Sequence, residues 1–98
     1  MSTANTKLTV LKPQNMTIYE AMEIQALFST ALMQYQKIEV DLSEVAEIDC
    51  AGLQLMVALK NDALKQNILM EYTAHSREVI ELLALFNMTQ FFGDPVVL

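Results

Sequence analysis

The chain has 98 residues, 53% of them hydrophobic, and a formal net charge of −6. That length suits one hydrophobic core, and that apolar content excludes wholesale disorder. The acidic balance, with six scattered Lys and Arg, disfavours nucleic-acid binding, and a single cysteine and a single histidine exclude an internal disulfide and any repeated metal-ligand spacing, so neither metal nor cofactor is expected.

Met1 to Lys7 lacks the basic-then-apolar pattern of a secretory signal. The apolar runs are broken by charges well short of the ~20 residues that a membrane span needs. A cytoplasmic protein with no direct membrane insertion is expected. Residues 1–6 are small and polar and are expected to fray.

Leu8 and Val10 alternate with Lys7 and Thr9, the pattern of a short strand. Pro13-Gln14-Asn15 reads as a turn, and Met16-Thr17-Ile18 as a second short strand. From Glu20 to Tyr35 the period becomes helical: Ile24, Leu27, Phe28, Ala31 and Tyr35 form the expected buried stripe. Glu20 and Glu23 fall in the first turn, where the helix dipole favours them. Met22, Ala26 and Met33 lie off the stripe as a second apolar strip, a candidate surface for weak homodimerisation.

Ile38-Glu39-Val40-Asp41-Leu42 alternates strictly and predicts a strand with one face on a core. Residues 43–48 are expected to continue it through a kink. Residues 51–66 predict a helix, with Leu53, Met56, Val57, Ala63 and Leu64 inward and Gln54, Ala58, Asn61, Asp62 and Lys65 outward. Ile68, Met70 and Tyr72 alternate with Leu69 and Glu71 as a further strand. Ser76 is a candidate N-cap for a last helix with Glu78 in its first turn. Val79, Leu82, Leu83 and Phe86 are its expected buried stripe, and Asn87 is suited to close it in the left-handed conformation. Phe91 and Phe92 are expected to tuck back onto the core ahead of a tail at 93–98. The alternation of strands and helices indicates an α/β fold, a small mixed sheet of about four strands covered by three to four helices.

Strand ends are where open α/β sheets meet ligands and partners, and Asp49-Cys50-Ala51-Gly52 sits at such an end and opens a helix. Asp49 is a candidate N-cap as well as a contact residue. Cys50 is either a small space-filling residue, a contact residue or a thiol with redox character. Ala51 and Gly52 leave room for close approach, and Gly52 also suits close internal packing. Ser43 has a local backbone hydrogen bond as its plainest role. His75 reads as a surface loop residue. Catalysis by Cys50 would need a base and an orienting group; His75, the only histidine, is the one conceivable base near the turn, and the sequence offers no oxyanion or metal partner beside it. Gly52 and Gly93 are the only glycines, so no phosphate-binding glycine loop exists.

The run Val40-Asp41-Leu42-Ser43, then Val45, then Ile48-Asp49-Cys50-Ala51-Gly52-Leu53 resembles the signature of STAS domains, roughly DLS-x-V-x-x-ID-[ST]-[SAT]-GL. The resemblance extends over about residues 8–92. Thr17-Ile18-Tyr19-Glu20-Ala21 and Ala51-Gly52-Leu53-Gln54-Leu55 further resemble stand-alone STAS proteins of bacterial chemotaxis clusters. The resemblance implies a single STAS-like domain over residues 1–98 and a non-enzymatic interaction module in bacterial signalling. An anti-sigma factor antagonist of this kind binds a kinase-like anti-sigma factor or a chemotaxis or two-component regulator. It switches partners when a Ser or Thr in the turn is phosphorylated. Cys50 falls on that phosphoacceptor position, so phosphorylation control is not expected in its usual form. Asp49, Cys50, Ala51, Gly52, Gln54, Ala58, Asn61 and Ser43 are the candidate partner-binding residues. The alternative implied by the same resemblance is an accessory subunit of an ABC lipid-transporter ATPase.

Overall fold

The computed structural model describes residues 8–87; the expected fraying at 1–6, the Phe91-Phe92 contact and the tail at 93–98 lie outside them. The element order is β1 (Leu8–Leu11), α1 (Ala21–Gln34), β2 (Lys37–Asp41), α2 (Cys50–Lys65), β3 (Leu69–Thr73) and α3 (Arg77–Leu85). The sheet order is β1-β2-β3 and both pairings are parallel. A parallel pair cannot be closed by a tight turn, so each crossover carries a helix, α1 for the first and α2 for the second.

The α/β class expected from the sequence is the class that forms. The described sheet has three strands instead of four, and its ladders are all parallel. The strand expected at Met16-Thr17-Ile18 shrinks to a single bridge, Met16 to Ile48. Its remainder is diverted into a turn by Thr17 and Glu20. The Thr17 hydroxyl donates to Glu20 Oε1 at 2.6 Å, and the Thr17 backbone N–H donates to the same oxygen at 2.9 Å. The segment 43–48 likewise forms no ladder beyond Ile48.

Period-two alternation places Ile38, Val40, Met70 and Tyr72 on the inner face of the sheet, all buried. Leu8, Val10 and Leu69 point to the other face and are about half exposed. The core is completed by Ile24, Phe28, Ala31 and Leu32 from α1, by Leu53, Leu55, Met56, Leu59 and Ala63 from α2, and by Val79 and Leu83 from α3. Each large side chain buried here contributes about 1.5–3 kcal/mol. Tyr72 is fully buried and places its hydroxyl on the Met56 carbonyl at 2.8 Å, which joins β3 to α2 through a satisfied polar group.

Three expected core residues lie elsewhere. In α1 the buried arc is centred on Phe28, so Leu32 takes the place expected for Leu27, which is exposed. In α2 the arc is centred on Gly52, Met56, Leu59 and Ala63, and Leu64 falls outside it at 63% exposure. Phe86 follows the last turn of α3 and is 45% exposed. His75, expected on the surface, is buried.

Helix ends follow local chemistry. Ser76 caps α3 by accepting the Val79 N–H at 3.3 Å. Asn87, as expected, is left-handed after α3 at φ 56°. Asn67 does the same after α2 at φ 59°, where Ile68 N–H donates to Ala63 O and Asn67 N–H donates to Leu64 O. That pair of reversed bonds is a Schellman closure, and it turns the chain directly into β3. In α1, Met22 and Met33 are 81% and 85% exposed, opposite the core.

Candidate functional site

The site is built around Asp49. Its extended backbone ends the approach to α2, and its two carboxylate oxygens serve two different segments. Oδ1 accepts the Gly52 N–H at 3.1 Å, which caps α2. Oδ2 accepts the Ile18 N–H at 3.1 Å, which ties the 17–20 turn to the start of the same helix. The backbone reinforces the junction. Met16 N–H donates to Glu47 O at 2.8 Å, and Asp49 N–H donates to Met16 O at 3.4 Å.

Gly52 is buried beneath this junction. A Cβ on residue 52 would stand 1.9 Å from the Met16 carbonyl oxygen and 2.9 Å from its carbon. Only glycine permits this approach of strand segment and helix. Of the residues expected at a partner surface, Gly52 is buried and Asp49, half-buried, spends both carboxylate oxygens on the frame, the packing and capping roles that the sequence also offered them. Ala51 is half-buried beside them.

Cys50, Gln54, Ala58 and Asn61 are all exposed and recur at intervals of four, four and three residues, which puts them on one face of α2. Asp62 and Lys65 are exposed at its margins. Near its start this face adjoins a notch of about 310 Å³ lined by Cys50, Leu53, Gln54, Val57 and Phe86. Among the described residues that line it, the notch offers the thiol no side chain that takes up or gives up a proton. Nor, among the described residues, does any group of three His, Cys, Asp or Glu stand close enough to hold a metal ion.

Ser43 belongs to a separate turn after β2. Its backbone N–H donates to Asp41 Oδ1 at 2.9 Å, the local bond that is the plainest role for such a serine. Hydrogen bonds from the Ser43 side chain and backbone, with a smaller contribution from Lys12, hold the Asp41 carboxyl below its usual range. Lys12 lies 3.9 Å from Asp41 and 3.8 Å from Glu44. The structure thus groups Cys50, Gln54, Ala58 and Asn61 on one face, with Asp49 and Gly52 behind them and Ser43 on its own turn.

Two parts of the site were not anticipated. The first is the 17–20 turn, whose Thr-x-x-Glu spacing is the available signal. The Thr17 hydroxyl and then the Thr17 N–H hold the Glu20 carboxyl below its usual range. The second is the contribution of Phe86, whose place on the helical stripe of α3 points to the core when the sequence stands alone.

Comparison with known proteins fits this frame. The family model described as "Mlab, STAS domain" matches residues 14–97. Among solved structures, a sulfate transporter family protein from Wolinella succinogenes superposes with a TM-score of 0.72 at 11% identity, over 88% of this chain and 71% of that one. The anti-sigma factor antagonist SpoIIAA in its unphosphorylated form gives 0.65 at 17% identity, over 90% of this chain and 77% of that one. The Bacillus cell fate determinant SpoIIAA in its phosphorylated form gives 0.62 at 16% identity, over 90% and 80%. Identities this low speak for the fold alone. No curated protein matches the chain in sequence.

Proposed function

Because the chain belongs to the STAS domain family, we propose that it is a non-enzymatic protein-binding module whose partner surface is the exposed face of α2, from Cys50 through Gln54 and Ala58 to Asn61. The observation that carries this reading is the division of labour at residues 49–52. Asp49 and Gly52 are consumed in building the frame, and what they present outward is a mainly uncharged face of a capped helix. A face of small and neutral side chains suits close approach by a folded partner.

Phosphorylation is a theme of one neighbour, SpoIIAA, solved in both forms. Here the residue proposed as equivalent to a phosphoacceptor is Cys50, exposed and free. A thiol does not serve a Ser/Thr kinase, so binding by this module is constitutive with respect to that modification. The partner in this reading is a kinase-like anti-sigma factor or a chemotaxis regulator, met in the cytoplasm. Among the described residues no helix is long and apolar enough to cross a membrane.

The experiment is affinity capture by wild type, Ala58→Glu and Cys50→Asp, with helix content checked by circular dichroism. Ala58→Glu places a charge on the centre of the face without touching the core. Loss of the captured partner by Ala58→Glu, with the fold intact, is the expected result. Capture unchanged by both substitutions would rule out this face. Substituting Asp49 or Gly52 is a poor probe, because either change disturbs the frame itself.

A second reading has its own support. The matching family model carries the description Mlab, and one solved neighbour is a transporter family protein. In it, the same α2 face docks on the ATPase of an ABC lipid transporter. Co-purification with a membrane-associated ATPase, lost in Ala58→Glu, would decide for it.

A further inference from the structure

A groove of about 430 Å³ runs between the segment that precedes α2 and the outer side of α3. Its apolar lining comes from Ile48, Leu82 and Leu85, and its charged lining from Glu47, Glu78 and Glu81. Leu85 is 75% exposed, and the core side of this short helix is already supplied by Val79 and Leu83. Leu82 and Leu85 stand three residues apart on α3, as do Glu78 and Glu81, so each pair forms a neighbouring row. Arg77 lies 3.4 Å from Glu81 and offsets one of the three carboxylates. The lining as a whole stays acidic, on a chain of net charge −6.

Along the chain the lining of the groove runs close to that of the notch beside Cys50: Ile48 is two residues from Cys50, and Leu85 precedes Phe86, which lines the notch. Resting on the reading of this chain as a protein-binding module, we propose that the groove receives a segment of the partner carrying aliphatic side chains flanked by Lys or Arg. The apolar lining takes the aliphatic groups and the carboxylates take the cations. Anionic partners, nucleic acid and acidic lipid surfaces included, are repelled by the same lining.

The test uses short synthetic peptides on the intact chain, followed by two-dimensional amide spectra and fluorescence anisotropy. The probe peptide carries two leucines three residues apart flanked by lysines. One control replaces the lysines with glutamates and a second replaces the leucines with serines. The probe is expected to shift the amides of Ile48, Glu78, Leu82 and Leu85, and to bind less tightly as salt is raised. Both controls are expected to lose binding. The double substitution Glu78→Lys with Glu81→Lys is expected to weaken the probe about tenfold or more, and Leu85→Ser is a second variant at an exposed position. Gln25→Ala, at an exposed position of α1 outside both surfaces, is expected to bind the probe like wild type. The proposal is overturned if the probe shifts residues elsewhere, if the serine control binds equally well, or if both groove variants bind the probe like wild type. The two readings separate cleanly. A partner captured through α2 by a groove variant that binds it like wild type would sink the groove and leave the module standing.

Discussion

At the scale of single residues, Gly52 is the position with least freedom. Its neighbour is a backbone carbonyl, Met16 O, and backbone cannot swing aside as a flexible side chain does. Gly52→Ala is expected to lower stability by about 3 kcal/mol, at the upper end of overpacking costs, and a urea denaturation series would measure it. A loss below about 0.5 kcal/mol would mean that the Met16–Ile48 bridge yields easily. Asp49 differs in kind, because hydrogen bonds fix its role. Asp49→Asn retains an oxygen for the cap, whereas Asp49→Ala removes both acceptors and is expected to cost about 1–2 kcal/mol. The sequence showed that an acid and a glycine frame this turn. The capping and close-packing roles were open to it but their partners were not, since Met16, which supplies the colliding carbonyl, and Ile18, whose N–H the carboxylate accepts, are more than thirty positions away along the chain.

At the scale of elements, the 17–20 turn titrates. The Glu20 carboxyl is held below its usual range, chiefly by the Thr17 hydroxyl and then by the Thr17 N–H. A lowered folded-state value means that the stabilisation is present above the ordinary carboxylate range. It is lost as pH falls through the lowered value. Thermal unfolding from neutral to strongly acid pH should therefore show Glu20→Ala below wild type near neutrality, with the gap closing in acid. A gap independent of pH would assign the turn's stability to something other than this carboxylate. Helices and the β2 and β3 strands were legible because their periods are long and clean. Where residues 16–18 and 43–48 were misjudged, a local competitor won: the Thr17–Glu20 bonds in one case, the Asp41–Ser43 bond in the other. Leu64 and Phe86 were misplaced for another reason. Both lie at the edge of an apolar arc, where one residue of phase decides between core and surface.

At the scale of the whole molecule, the described sheet has one buried face and one largely open face, and both helix crossovers separate strands that are neighbours in space. The α/β class was legible from alternation alone. This topology has a kinetic consequence. No two described strands can meet as a hairpin, so no strand pair forms before a crossover helix is in place, and loop closure precedes the contacts that reward it. The rate-limiting ensemble should then contain α2 docked on β2 and β3. Leu59→Ala, at a fully buried position of α2, is expected to slow refolding, whereas Thr17→Ala should mainly speed unfolding. Stopped-flow chevrons on the two variants would separate those limbs. They would show whether the stretch that carries the proposed binding face is also the stretch on which the chain first condenses.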